Sequence, residues 1–169
     1  MKSEQIRTEF NDTFTKLLEI LSNFDIENFN TKPAADKWSA GQVARHLIKA
    51  NSGFKKMVNG QTRETERAPD TAVEKIKTDF LNFEKPMSSP DFIVPEDEKF
   101  EKKEMVNALE KIKVEINETA ENADLTRTLM DFEFPVYGHL TGLEMLSFAV
   151  YHTQRHIHQI NKIGEKILN

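Results

Sequence analysis

The sequence predicts an all-α protein built as a bundle of four long helices. Apolar residues recur every three or four positions, the spacing of one helical face, in four separate stretches of the chain. Two of these stretches begin with a capping box, a hydroxyl residue followed three positions later by Gln or Glu, which marks a helix start. Four helices that each carry one apolar stripe bury those stripes most simply against one another.

Each stripe predicts one helix. The first stripe consists of Ile6, Phe10, Phe14, Leu17 and Leu21. The second consists of Val43, Leu47, Ala50, Phe54 and Met57. The third consists of Met105, Leu109, Ile112 and Ile116, and the fourth of Leu143, Leu146, Val150, Thr153, Ile157 and Ile160. The capping boxes "SAGQ" (39–42) and "TGLE" (141–144) place the starts of the second and fourth helices just after Ser39 and Thr141, and we expect the second to end near Gly60.

The connection between the second and third helices is about forty residues long and contains four of the six prolines. A connection of this length can cross the whole bundle, so the two helices it joins can run parallel, in an up-down-down-up order. Within it, one further stripe predicts a short extra helix. That stripe consists of Val73, Ile76, Phe80 and Phe83.

The composition limits the classes of function. The 169 residues fit a single domain, residues 1–169. The net charge of −5 is mild and the charges of both signs are interspersed, which argues against a nucleic-acid partner. No apolar run is long enough to span a membrane and the first ten residues lack a signal-peptide core, so we expect a cytoplasmic protein. Without cysteine, a metal site would have to use histidine and carboxylate.

Three of the five histidines fall on predicted inward faces. His152 and His156 stand one helical turn apart, the arrangement by which a helix offers two imidazoles to one metal ion. His46 lies on the apolar stripe of the second helix. At about 1.5 Å per residue, His46 is roughly 10 Å beyond its cap, while the other two are roughly 16 and 22 Å beyond theirs. These depths coincide if the two helices are antiparallel and about 30 Å long.

The three imidazoles therefore predict a metal centre with open positions, as catalytic sites have. The alternative is that they are ordinary core histidines with satisfied hydrogen bonds. Gln159 projects close to the direction of His152 and His156, where it could hold an imidazole or a water, or simply pack at the core edge. Arg155 could bind a substrate carboxylate or form an ion pair with a neighbouring helix. Trp38 could line the mouth of the site or staple the helix end to the core.

The stretches "KWSAGQVARHLIKA" and "FPVYGHLTGLEMLSFAVYHTQRHIHQI" resemble the DinB/YfiT-like superfamily of DNA-damage-inducible-like four-helix bundles, of the DinB_2 type. Members carry a Trp-Ser helix entry followed by a histidine, here Trp38, Ser39 and His46, and an H-x-x-x-H pair on the fourth helix. The resemblance implies an up-down-down-up bundle and one divalent ion, zinc or nickel, held by His46, His152 and His156. It also implies a small-molecule substrate and a homodimer.

The resemblance leaves the reaction open, because members act as metal-dependent hydrolases or use a low-molecular-weight thiol as cosubstrate. Thr153 occupies the position where an H-E-x-x-H peptidase has its glutamate base, so peptidase activity is not expected. Hydrolysis of small esters or amides remains open, because a metal ion lowers the pKa of its bound water. Transfer of a thiol to an electrophile needs no carboxylate base, which favours it. A third alternative is a non-catalytic metal-binding or stress-response module.

Overall fold

The computed structural model describes residues 3–168 and is mostly helical. The prediction of an all-α protein is confirmed at this level. The helices are α1 (Ser3–Ser22), α2 (Ile26–Asn30), α3 (Ala40–Asn51), α4 (Phe54–Val58), α5 (Val73–Leu81), α6 (Lys102–Asn122) and α7 (Gly142–Ile167). Two two-residue strands, β1 (Thr62–Arg63) and β2 (Thr128–Leu129), pair antiparallel, and a single 3₁₀ turn covers Asp91–Ile93.

Four of these helices enclose the core. Helix α1 packs against α6 and α7, and α3 packs against the same two helices. Their apolar stripes meet in one cluster of buried side chains, to which α5 contributes Ile76 and Phe80. The order of helix directions, predicted as up-down-down-up, stays a prediction. Among residues 3–168, no helix combines the length and the apolar content that crossing a membrane requires.

Both predicted capping boxes are present. The Ser39 hydroxyl accepts the backbone N–H of Gln42, whose side-chain oxygen accepts the N–H of Ser39. Thr141 and Glu144 form the same reciprocal pair at the start of α7. Helices α3 and α7 therefore begin at the residues that the sequence predicts, which fixes the level of the histidines along each helix.

The second predicted helix does not continue to Gly60. It is interrupted at Ser52 and Gly53, and the chain resumes as the short helix α4. Glycine costs about 1 kcal/mol relative to alanine inside a helix, and the Ser52 hydroxyl binds the carbonyl of Ile48. The apolar spacing nevertheless carries through the break, since Phe54 is buried in the same core.

The crossover between α3 and α6 carries the short helix α5, as predicted, but this helix ends before Phe83, which is exposed. The crossover is fastened to the start of α7 by Glu144, which is fully buried. One carboxylate oxygen accepts the N–H of Ala72 at 2.7 Å, and both oxygens are bound by the Arg67 guanidinium. The strand pair β1–β2 adds a second tie. The crossover therefore lies in a fixed position beside α7.

Candidate metal centre

Helices α3 and α7 bring the three predicted ligands together. The Nε2 atom of His152 lies 3.0 Å from Nε2 of His46 and 3.0 Å from Nε2 of His156. One potential ligand atom from each residue lies within 4.8 Å of the other two, and all three side chains are buried. No aspartate or glutamate of the described part of the chain belongs to this group.

Hydrogen bonds fix which nitrogen of two rings faces the centre. The Nδ1 atom of His46 lies 2.8 Å from the carbonyl oxygen of Ile93, which can only accept, so Nδ1 carries the proton. The Nδ1 atom of His156 donates in the same way to Oε1 of Gln159 at 2.7 Å. In a neutral imidazole the other nitrogen then has a free lone pair. Both Nε2 atoms therefore present lone pairs toward His152.

These lone pairs cannot all be satisfied by hydrogen bonds within the cluster. A proton on Nε2 of His152 could be donated to His46 or to His156, but not to both at 3.0 Å. The lone pair of the other imidazole would then face a nitrogen that has no proton left to donate to it. If His152 carries its proton on Nδ1 instead, both contacts bring two lone pairs together, which is repulsive. A cation bound between the three nitrogens removes this conflict, because each lone pair then points at positive charge. Three neutral imidazoles are donors that suit zinc and nickel, so the residues fit the implied ion.

Burial lowers the pKa of all three histidines, because a charged ring loses its hydration inside the protein. The pKa of His156 falls to about 3, with a smaller contribution from the neighbouring His46. The pKa of His152 lies well below its usual value, since the other two rings add to the effect of burial. All three are neutral near pH 7, which is the form that binds metal.

On its Nδ1 side, the ring of His152 is held by aromatic packing instead of a hydrogen bond. Its buried Nδ1 atom has no partner within residues 3–168. The rings of Phe80 and Phe148 each lie 5.4 Å from the His152 ring between centroids. On the opposite side of the cluster, Trp38 lies 5.1 Å from the His46 ring. Trp38 is half-buried. It lines the cavity beside the cluster and also packs on the core, so both of the alternatives given for it apply.

A cavity of about 1450 Å³ opens onto the cluster. His152 and His156 line it, together with Trp38, Arg155 and Gln159. Three protein ligands leave coordination positions for other molecules, the pattern of catalytic metal sites. The cavity gives such molecules a route to the centre.

The ion pair considered for Arg155 is absent. This side chain has no carboxylate partner within residues 3–168, and instead donates hydrogen bonds to the carbonyls of Phe80, Asn82 and Lys85. Those carbonyls lie at and just beyond the end of α5, where backbone acceptors lack helical partners. Arg155 therefore holds one wall of the cavity against α7.

The two remaining histidines lie outside the group. His158 stacks flat on Phe83, with ring centroids 4.1 Å apart. The Nδ1 atom of His139 lies 3.1 Å from the carbonyl of Leu129 and 3.2 Å from that of Phe132. Sequence reasoning missed Ile93, which acts through its backbone carbonyl. Any residue can supply a carbonyl, so the sequence contains no signal for this contact.

Comparison with known proteins agrees with this arrangement. The family model described as the DinB superfamily matches residues 9–160. The chain is 27% identical over 166 residues to a Bacillus subtilis (strain 168) protein named "Uncharacterized protein YuaE", covering 94% of this chain and 96% of that protein. No solved structure matches the chain. Since the family model spans most of the sequence and includes all three clustered histidines, the chain belongs to the DinB superfamily.

Proposed function

We propose that the protein binds one divalent ion, zinc or nickel, through His46, His152 and His156, and transfers a low-molecular-weight thiol to a small electrophile. The observation that supports this most strongly is the convergence of three Nε2 atoms in a group without a carboxylate. The ion, when bound, would lower the pKa of a coordinated thiol or water.

Neighbouring groups of the chain hold the three imidazoles in place. Ile93 and Gln159 orient two imidazoles through their Nδ1 atoms, and Phe80 and Phe148 position the third. Such outer contacts raise metal affinity by fixing ligand orientation. In the transfer reaction, a carbon–sulfur bond forms, the bond to the leaving group breaks with its electron pair, and the thiol proton passes to solvent.

The carboxylates near the centre favour thiol transfer over base-assisted hydrolysis. Asp79 lines the cavity, but its pKa is lowered, mainly by the hydrogen bond from Lys75. Asp79 also accepts a hydrogen bond from the hydroxyl of Tyr137 at 3.0 Å. Glu144 is occupied by Arg67 and the helix cap. The lowered pKa of Asp79 and the existing partners of both groups make them poor proton acceptors.

The test compares protein with one equivalent of zinc, protein treated with chelator and the His156→Gln variant. A small thiol such as cysteine is mixed with 1-chloro-2,4-dinitrobenzene, and formation of the conjugate is followed by absorbance. We expect conjugation only with metal-loaded wild type, and a sulfur-to-metal absorption band when thiol is added to cobalt-substituted protein. Metal-dependent ester or amide hydrolysis that needs no thiol would favour the hydrolase instead. Efficient peptide cleavage would contradict both.

A further inference from the structure

The mouth of the cavity is surrounded by exposed apolar side chains. Within residues 3–168, five of the eight large apolar side chains that are exposed line this single cavity. This apolar rim consists of Phe83, Met87, Phe92, Val94 and Val136. The exposed fraction is 61% for Phe92 and 84% for Val136. Isolated exposed apolar residues are normal, but their concentration around one opening is typical of a ligand-binding site.

Val136 also has an unfavourable backbone conformation. Its φ angle is +73°, in the left-handed region that β-branched residues rarely adopt. Hydrogen bonds between the backbones of Phe134 and Gly138, at 2.8 and 2.9 Å, close the turn that holds it there. Such strain is unfavourable and concentrates at ligand-binding and active sites. The turn fixes an apolar side chain at the opening at the expense of backbone energy.

The net charge of the residues that line the cavity is positive, whereas that of the whole chain is negative. Six of its lining residues are lysine or arginine and three are aspartate, whereas the chain has a net charge of −5. Two of the cations lack carboxylate partners within residues 3–168. Arg155 binds only backbone carbonyls, and Lys56 has no ion pair. The other four cations pair with carboxylates, two of them with Glu96 and Glu165 outside the cavity, so Arg155 and Lys56 are the groups that attract an anion.

We propose that the cavity binds a small molecule with an aromatic or acyl body and one anionic group. The apolar rim contacts the body, and the excess of cations attracts the anion. The inference deepens the proposed function by naming its substrate class, and it rests on that function in placing the reacting molecule in this cavity. A small molecule fits better than a protein surface because the rim encloses an opening that leads inward to His152 and His156.

Three probes with the same phenylbutyl carbon skeleton and different charge test this directly: 4-phenylbutyrate, 4-phenylbutan-1-ol and 4-phenylbutylamine. Trp38 is the only tryptophan of the chain and lines the cavity, so its fluorescence reports binding there. Titrations use metal-free protein first, so that a bond between the carboxylate and a metal cannot produce the preference. We expect saturable binding, with the carboxylate bound about fivefold more tightly than the amine and the alcohol in between.

The variant Phe92→Ser should weaken binding of the carboxylate about threefold, because an exposed ring that contacts the ligand is lost. Ile26→Ser is the matched control, since Ile26 is equally exposed but lies outside the cavity. Reversal of charge in Lys56→Glu should reduce the preference for the carboxylate over the amine. Both Phe92 and Lys56 are exposed, so these changes leave the core intact.

The inference is overturned if the amine binds as tightly as the carboxylate or more tightly, or if Phe92→Ser and Ile26→Ser weaken carboxylate binding equally. It is also overturned if the protein is a dimer that Phe92→Ser converts to monomers. That last result would mean that a second copy of the chain covers the rim. The expected order of affinities in metal-free protein supports the inference even if elemental analysis finds no metal site. Metal uptake without binding of any probe overturns the inference alone and leaves the proposed metal centre standing.

Discussion

Replacement of one predicted ligand gives the sharpest test of the metal centre. The change His156→Gln removes one of three imidazoles whose potential ligand atoms lie within 4.8 Å of one another, and leaves two. His158→Gln is the matched control, because it removes a histidine from the same helix whose ring stacks on Phe83 and does not belong to the group. Both proteins are purified without a histidine tag.

The size of the effect follows from mass action. An ion that binds only the folded state at 100 times its dissociation constant raises the free energy of unfolding by about 2.7 kcal/mol. For a chain of this size, the melting temperature rises by about 2–4 °C per kcal/mol, or about 5–10 °C in total. Loss of one direct ligand should weaken binding at least about 100-fold, since loss of an outer contact alone costs 10–100-fold. At the same zinc concentration the shift then falls to about 1 °C.

The assay is differential scanning calorimetry with zinc and with chelator, combined with elemental analysis. Wild type and His158→Gln should carry about one equivalent of metal and show the full shift, whereas His156→Gln should lose most of both. Metal-free wild type, or an equal zinc shift in His156→Gln, would refute the reasoning. The melting temperature of each variant in chelator shows whether the fold itself has changed.

Three further changes and one mass measurement test other parts of the structure. Arg67→Ala should lower the free energy of unfolding, measured by urea denaturation, by about 2 kcal/mol, because the buried carboxylate of Glu144 loses its cation. The loss stays this small because the N–H partners of Glu144 remain and Arg67 is itself partly exposed. An effect no larger than that of Arg63→Ala, at an exposed arginine, would contradict this. Gln159→Leu should weaken zinc binding about 10–100-fold in a chelator competition, with little change in metal-free stability. The melting temperature of metal-free protein should fall as pH decreases below about 6.5, because the unfolded chain then binds protons on histidines whose folded pKa is lowered, and His156→Gln should reduce this fall. Light scattering at micromolar concentration should give a dimer mass that Phe92→Ser does not change.

Local signals predicted the part of the fold that positions the ligands. A capping box needs only residues three positions apart, so both helix starts could be read from the sequence. The end of α3 could not, because the apolar spacing continues past Gly53 and periodicity alone does not register the break. The strands β1 and β2 have two residues each and no detectable pattern, and their pairing depends on where the crossover lies.

Of the candidate site, only the histidines could be predicted, because few other residue types bind metal ions. The histidines could be identified from the helical positions of His46, His152 and His156. The shape of the cavity could not, because its walls come from loops whose positions depend on distant contacts, such as those of Arg155 with the carbonyls beyond α5. The apolar rim could not be predicted either, because the sequence does not show whether a phenylalanine is exposed or buried.

The geometry couples the metal centre to the crossover. His46 and His152 are 106 positions apart, so a bound ion would tie α3 to α7 across most of the chain. Ile93 of the crossover holds His46 through its carbonyl, and Arg155, next to the ligand His156, holds the chain beyond α5. Ile93 and Arg155 thus connect the helices of the proposed ligands to the crossover segments that carry Phe83, Met87, Phe92 and Val94 of the apolar rim. If the proposed ion binds, a change in these hydrogen bonds should therefore alter both its affinity and the shape of the cavity mouth.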